Sequence, residues 1–336
     1  MEEFAIAISN LAAKAPPPKP SRGSLSTRKR RTKPPKIVCA GQATLDFINF
    51  VPEYPRENSE NRVLHSVETI GGPVGRGAIA ASRLGADVHL LATVGTGVYA
   101  NALQDLFKLE DIHTNWFVDP EVKSQRSAII VSGEQGHRTV FWTPQPRADQ
   151  EMLKGVPKAF QSADCAFIDC TDEALAFTVA EFCNERDIPI VLDTGSYKPW
   201  CEPLLPLCDF VISPEKFFRV RSPDASSLSK GIRALSEQID VSLVCATLGE
   251  RGGRYKLQNS DTIHKYDAFS VDPVDTCGAG DTFHGAFAFA VGSGLSAADG
   301  LDLSAWAAAK KCERHGNDGI PYQFELQREL GAKLPL

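Results

Sequence analysis

Short apolar runs recur along the middle of the chain, each ending in a polar residue and most of them separated by helical stretches. Buried strands alternating with helices are typical of a parallel sheet covered by helices on both faces. We therefore predict a Rossmann-like, doubly wound α/β fold. Ligands of such sheets bind beyond the carboxyl ends of the strands, so one rim gathers the polar residues that end these runs. The runs are residues 165–169, 190–193, 210–213 and 242–247, which end at Asp169, Asp193, Ser213 and Thr247.

Several extended segments do not fit the doubly wound pattern. Residues 45–51 are mainly apolar, residues 63–69 alternate, and residues 127–132 and 139–142 flank the turn at 133–136, which is a hairpin signal. We predict that strands from about 45–70 and 126–143 form a small antiparallel sheet that projects over the rim as a lid. The remaining predicted elements are strands at 36–41 and 88–94 and helices at 74–84 and 101–109.

The stretch 275–283 contains the strongest candidate chemistry. Gly278, Ala279 and Gly280 precede an apolar run that predicts a buried helix. Small residues at a helix N-terminus let unpaired amides and the helix dipole face an anion. A phosphate there would repel Asp281 unless that carboxylate has a task, such as taking the proton of an attacking hydroxyl. The stretch therefore predicts a phosphoryl-transfer site.

Composition narrows the functional classes. The chain has 336 residues, 43% of them hydrophobic, enough for one large domain or two small ones. Its net charge of −6 combines +7 in the first 36 residues with −13 in the rest, so we expect no general nucleic-acid surface. No apolar run approaches the roughly 20 residues of a membrane span. Nine cysteines without a CxxC pair predict reduced, mostly buried thiols in an intracellular protein.

Residues 1–35 differ from the rest of the chain. They contain three consecutive prolines and the basic run Arg28-Lys29-Arg30-Arg31, and only two acidic residues. We predict a disordered tail outside the folded domain, acting as a transit peptide to the chloroplast. The alternatives are a plain tail on a cytoplasmic protein and a nuclear signal. Residues 36–336 form the predicted domain.

Two motifs resemble the signatures of the ribokinase-like (PfkB) carbohydrate kinases. One is Gly71-Gly72 before a helix that ends Arg83-Leu84-Gly85, and the other is the stretch 275–281. The resemblance spans about residues 36–322. It implies a phosphotransferase that uses ATP and Mg²⁺ to phosphorylate a hydroxyl of a small sugar or sugar derivative. It also implies that Asp281 is the base and that the amides of Gly278, Ala279 and Gly280 hold charge on the transferred group.

For the acceptor, the resemblance implies four groups. Asp46 would accept hydrogen bonds from sugar hydroxyls, and Gly71 and Gly72 would form the floor beneath the sugar. Arg138, in the lid hairpin, would reach an anionic group of the substrate. Arg76 stands where the family usually has Asn, so it would either bind a phosphate, sulfonate or carboxylate of the substrate or fill the pocket.

For the nucleotide, the resemblance implies Thr247, Gly249 and Gly252 beside ribose and phosphates. The family's Asn-x-x-Glu motif appears as residues 215–218, so Glu215 can act on magnesium through water but Phe218 cannot. This pattern looks more like the branch of sulfofructose kinase and ketohexokinase-like enzymes. Asp275 and Gly316 match positions from which relatives bind a monovalent cation, here K⁺.

Three alternatives stay open at this point. Loss of Asn-x-x-Glu and of the pocket Asn favours a fructokinase-like pseudokinase that serves as a scaffold in an organellar complex. A nucleoside kinase would use Phe47 or Phe50 to stack a base near Asp46. An exposed edge of the lid sheet would allow a homodimer.

Overall fold

The computed structural model describes residues 33–133, 137–156, 160 and 162–334. In chain order, the strands of these residues are β1 (Lys36–Ala40), β2 (Thr44–Val51), β3 (His65–Gly71), β4 (Asp87–Thr96), β5 (His113–Lys123), β6 (Arg126–Ser132), β7 (His137–Trp142), β8 (Cys165–Asp169), β9 (Ile190–Asp193), β10 (Phe210–Pro214), β11 (Leu243–Thr247), β12 (Gly253–Leu257) and β13 (His264–Tyr266). The helices are α1 (Pro73–Arg83), α2 (Val98–Leu109), α3 (Gln150–Leu153), α4 (Glu173–Asn184), α5 (Glu215–Arg221), α6 (Leu228–Gln238), α7 (Ala279–Ser293), α8 (Ala297–Cys312) and α9 (Gln323–Leu330).

The main sheet has nine strands in the order β13-β12-β11-β10-β9-β8-β1-β4-β5. From β11 to β5 all neighbours are parallel, and only β12 and β13 pair antiparallel at one edge. The four apolar runs of the middle of the chain are β8 to β11, as predicted. The Rossmann-like, doubly wound α/β fold is confirmed.

Two hydrophobic cores lie on the two faces of this sheet. Successive residues of β1 point to opposite faces, so Ile37 and Cys39 belong to one core and Val38 and Ala40 to the other. Helices α1, α2, α7 and α8 cover the first face, and α4, α5 and α6 cover the second. All nine cysteines are buried thiols, in agreement with the prediction.

A separate sheet of four strands has the order β3-β2-β6-β7, which confirms that a small second sheet is present. The prediction that it is wholly antiparallel is wrong, because β2 and β6 pair in parallel, with Leu45 opposite Arg126. Both strands follow parallel strands of the main sheet, β1 and β5, so both leave the same rim in the same direction. Ile48, Ile129 and Val131 of this sheet pack on Cys277, which places the sheet directly beside the candidate anion site.

Some predictions fall outside the described residues. The predicted transit peptide lies outside the described residues except for residues 33–35, and residues 134–136 of the predicted turn also lie outside them. The two strands that flank this turn, β6 and β7, pair antiparallel as predicted. Strands β5, β12 and β13 were not predicted. Within the described part of the chain, no helix combines the length and apolar character needed to cross a membrane.

Candidate active site

The turn before α7 has the geometry of an anion site. Gly278 is the N-cap of α7 with φ of 84°, a left-handed conformation that glycine adopts without strain. Helix α7 then begins at Ala279 and runs for 15 residues, with Asp281 in its first turn. The first amides of a helix have no partner within it, and the amide of Ala279 donates a 3.3 Å hydrogen bond to the carbonyl oxygen of Thr276, so the amides of Gly280 and Asp281 are the ones that face an anion. The structure therefore places Asp281 at the mouth of this site.

A buried arginine joins Asp281 to the predicted substrate acid. The Nη2 atom of Arg76 lies 2.5 Å from Oδ2 of Asp46, and its Nη1 atom lies 3.3 Å from Oδ2 of Asp281. Arg76 is only 5% exposed, and Asp46 only 3%. The other oxygen of Asp46 accepts a hydrogen bond of 2.8 Å from the Thr44 hydroxyl. One guanidinium thus bridges the predicted base and the predicted substrate acid.

Close approach of α1 and α7 produces this bridge. A methyl group at Gly285 of α7 would collide with the backbone of Gly77 in α1, so the two helices touch through their glycines. Arg76 precedes Gly77, and Asp281 lies one turn before Gly285. The stem of Arg76 also passes over the anion turn, where a Cβ atom at Gly278 would stand 2.5 Å from Cδ of Arg76. Glycine at these positions is therefore a packing requirement of the site.

Gly71 and Gly72 lie at the end of β3 and before α1, next to Asp46. A Cβ atom at Gly71 would collide with the Asp46 carboxylate, and one at Gly72 would stand 2.5 Å from the carbonyl oxygen of Gln42. Gly72 also has φ of 81°. Glycine at these two positions thus makes room for Asp46 and for the turn into α1. This packing requirement is separate from the predicted role of Gly71 and Gly72 as the floor beneath a sugar.

The predicted nucleotide residues lie at the end of β11. Thr247 is its last residue, and the turn that follows contains Gly249 with φ of 61° and Gly252 with φ of 70°. A Cβ atom at Gly249 would meet no atom within 4 Å, whereas one at Gly252 would collide with the carbonyl oxygen of Tyr266. Only Gly249 therefore offers open space to a ligand, while Gly252 serves the packing of β13.

Glu215 lies on the same rim, at the start of α5. Its two oxygens accept hydrogen bonds from Arg219 at 2.9 Å and Arg251 at 2.7 Å. The hydrogen bond from Arg219, together with that from Arg251, lowers the pKa of Glu215. Because each carboxylate oxygen has a second lone pair, Glu215 can still contact magnesium-bound water. Phe218 is buried in the core and has no part in metal binding.

The predicted potassium position is occupied by an ammonium group. The Nζ atom of Lys311 lies 3.0 Å from Oδ2 of Asp275 and donates a 2.8 Å hydrogen bond to its backbone carbonyl. Asp275 also accepts hydrogen bonds of 2.8 Å from the amides of Cys277 and Gly316. Burial lowers the pKa of Lys311, and the charge of Asp275 opposes this effect. These residues do not fit an alkali-metal ion, because the ammonium already uses the oxygens that would bind it.

Arg138 is the one predicted substrate residue that the structure leaves outside this cluster. It lies in β7, opposite Val131 of β6, and is exposed. Two residues that sequence reasoning missed belong to the site instead. Lys311 was hidden in an Ala-rich helix, and His284, on α7, has its Nδ1 atom 2.7 Å from the carbonyl oxygen of Gly280. In the sequence, His284 could have been identified because it is a polar residue one turn after Gly280 in a helix predicted to be buried.

A doubly wound sheet, a small sheet beside its rim and a carboxylate at a helix-terminal anion site are the features that a small-molecule kinase requires. The family model for pfkB family carbohydrate kinases matches residues 34–321. The chain therefore belongs to this family, and it is a phosphotransferase whose acceptor is a hydroxyl group. The resemblance described from the sequence is confirmed.

Individual relatives agree with this assignment. The ribokinase of Bacillus subtilis (strain 168) is 23% identical over 88% of this chain and 99% of that protein. The ketohexokinase of Mus musculus is 24% identical over 85% of this chain and 98% of that protein. The structure of Arabidopsis thaliana ribokinase complexed with ribose and ATP superposes with a TM-score of 0.74 at 18% identity, covering 88% of this chain and 98% of that one. This last likeness shows the shared fold.

Proposed function

We propose that this chain transfers the γ-phosphoryl group of ATP to a hydroxyl of a small sugar derivative that carries an anionic group. The observation that carries the proposal is the guanidinium of Arg76, buried between Asp46 and Asp281. An acceptor that reaches both carboxylates must displace this guanidinium. Breaking a buried ion pair costs about 3–5 kcal/mol, because it leaves an uncompensated charge.

A neutral sugar has no charge with which to replace the lost partner of Arg76. A phosphate, sulfonate or carboxylate does, and a guanidinium binds such groups through two parallel hydrogen bonds. The anion of the acceptor would therefore draw Arg76 away from Asp281, which frees that carboxylate to accept the proton of the attacking hydroxyl. Binding of the correct acceptor and preparation of the base are thus one event.

The remaining roles follow from the positions around α7. The amides of Gly278, Ala279 and Gly280 hold negative charge on the transferred group, as a helix N-terminus does for a phosphate. Thr247 and Gly249 would line the nucleotide, and Glu215 would hold Mg²⁺ through water. The metal supplies neutralisation of the ATP phosphates when it is bound. Arg138, exposed on the small sheet, would reach the anionic group of the acceptor when the sheet closes.

The acceptor class is tested with Mg²⁺ and ATP against matched pairs, each a neutral sugar and the same sugar bearing a phosphate, sulfonate or carboxylate. We expect kcat/KM to be higher for the anionic member by about 100-fold, the value of one charge-assisted bidentate contact. Arg76→Asn should reverse this preference, because the smaller amide opens the pocket and removes the cation. The measurement is ADP release at varied acceptor concentration.

The matched control is Arg186→Asn, the same change at an arginine that is exposed and stacks on Phe182. It should leave both acceptor classes unaffected. A wild-type preference for the neutral member would contradict the anionic acceptor but keep the kinase. No turnover with any acceptor would favour a second candidate function, a scaffold protein in which Arg76 closes the acceptor pocket. The ion pair between Arg76 and Asp281 also supports this candidate.

We also propose that the small sheet forms a homodimer. Its edge strand β7 exposes apolar side chains, with Trp142 67% and Phe141 55% exposed. An edge strand with such side chains is a template for pairing with a second copy. Light scattering during size-exclusion chromatography should give twice the chain mass, and Trp142→Lys should give the monomer. Val220→Lys, at an equally exposed apolar residue of α5, should stay dimeric, and a monomeric wild type would refute the dimer.

A further inference from the structure

Lys311 is a wholly buried cation to which the transfer reaction described above assigns no role. It lies in the last turn of α8 with 0% exposure. Lysine is almost never buried to this extent unless its charge is paired. Its partner is Asp275, through both the carboxylate and the backbone carbonyl. The chain therefore maintains a specific positive charge at this point of the core.

The Asp275 carboxylate connects this charge to the anion turn. One oxygen accepts the amide hydrogen of Cys277, and the other accepts that of Gly316 and contacts Lys311. Cys277 directly precedes Gly278, so the ammonium fixes the backbone that leads into the anion site. It also adds a fixed positive charge near the amides that would hold the transferred phosphoryl group.

An alkali-metal ion beside Asp275 would need the oxygens that Lys311 now engages. Backbone carbonyls and carboxylates are the groups that replace the hydration shell of such an ion. The ammonium takes one oxygen of each kind, and a second cation in the same buried space would be repelled by it. The space beside Asp275 thus holds one monovalent charge, supplied by the chain itself.

We infer that Lys311 is a built-in replacement for a monovalent cation, so that phosphoryl transfer by this chain does not depend on K⁺. Lys311 is a positioning residue, since it acts on the anion turn through Asp275. The inference rests on the proposed function where turnover is the readout. It makes a separate statement about thermal stability that requires no turnover.

The first experiment uses the wild-type chain. Turnover and the melting temperature are measured in the chlorides of potassium, sodium, caesium and tetramethylammonium at equal ionic strength. We expect kcat to agree within about twofold and Tm within about 1 °C, because no site distinguishes these ions. Turnover that needs potassium, or a Tm raised by potassium alone, would overturn the inference.

The second experiment removes the ammonium in two ways. Lys311→Ala leaves a space beside Asp275, and Lys311→Met removes the charge but keeps most of the volume. In tetramethylammonium chloride both should show a lower Tm and a kcat reduced by about tenfold or more, since the amides of the anion turn lose their fixed support. Potassium or ammonium should restore Tm and kcat of Lys311→Ala, which has room for the ion, and not of Lys311→Met.

Lys310→Met is the matched control, because Lys310 is the preceding residue and pairs with Glu313. It should behave as the wild type in every salt. Full kcat in Lys311→Ala without a small cation would show that the ammonium is not needed, and would overturn the inference. If the wild-type chain phosphorylates no acceptor in any salt, the proposed function fails, while the Tm series of wild type and Lys311→Ala still decides the role of Lys311.

Discussion

Asp281→Asn should lower kcat by about 10²–10⁴, the usual contribution of a positioned general base. The amide keeps the size of the carboxylate and can still accept a hydrogen bond from Arg76, but it cannot take the proton of the acceptor hydroxyl. Binding of ATP should be almost unchanged, because the amides of the anion turn are retained. The measurements are ADP release with the best acceptor and calorimetric titration with ATP.

Asp105→Asn provides the control for Asp281→Asn. It is the same change at an exposed acid of α2 that pairs only with Lys108 among the contacts described for it. Full activity is expected there. If Asp281→Asn kept wild-type kcat, Asp281 would be a structural partner of Arg76 and another group would have to act as the base.

The fold and the anion turn were predictable because local sequence determines them. Strand β8 is apolar up to its last residue, Asp169, because it is buried on both faces, and Gly278 is required by a backbone conformation that other residues avoid. Strand β5 was missed because it is an edge strand with a mostly exposed, polar sequence and a proline. Its place in the sheet comes from parallel pairing with β4, which no local pattern signals.

The charge pairs of the site were not predictable for a related reason. Arg76 and Asp281 are 205 positions apart in the sequence, and Asp275 and Lys311 are 36 apart. Each residue type is usually exposed, so a buried partner cannot be inferred from either residue alone. The sequence identified Arg76 as unusual but could not decide between binding and blocking, since both depend on which carboxylates face it.

The two charge pairs differ in what they can do. Asp275 and Lys311 are both buried, and the additional hydrogen bonds to Asp275 make that pair a fixed part of the core. Arg76 has two carboxylate partners, one of which, Asp281, has a side chain that is 21% exposed. A guanidinium with two alternative partners can release one of them when a third anion arrives. We therefore assign support of the anion turn to Lys311 and recognition of the acceptor to Arg76.

Contact between α1 and α7 should be the most sensitive packing feature of the site. Gly285→Ala adds a methyl group that would collide with the backbone of Gly77, which cannot rotate away as a side chain would. We expect the free energy of unfolding to fall by about 2–3 kcal/mol, because the helices must separate to admit the methyl group. Turnover should fall too, since α1 carries Arg76 and α7 carries Asp281. Urea denaturation and ADP release measure the two effects.

Gly280→Ala in the same helix is the control that isolates the effect of the Gly285–Gly77 contact on the free energy of unfolding. A Cβ atom at Gly280 would meet no atom within 4 Å, so the change should leave stability unchanged or raise it by up to about 1 kcal/mol through helix propensity. The two substitutions are chemically identical and lie five positions apart in α7, so opposite signs can arise only from packing. Equal stability of the two variants would show that α1 and α7 do not meet at Gly77, and the distance between Arg76 and Asp281 would then have another cause.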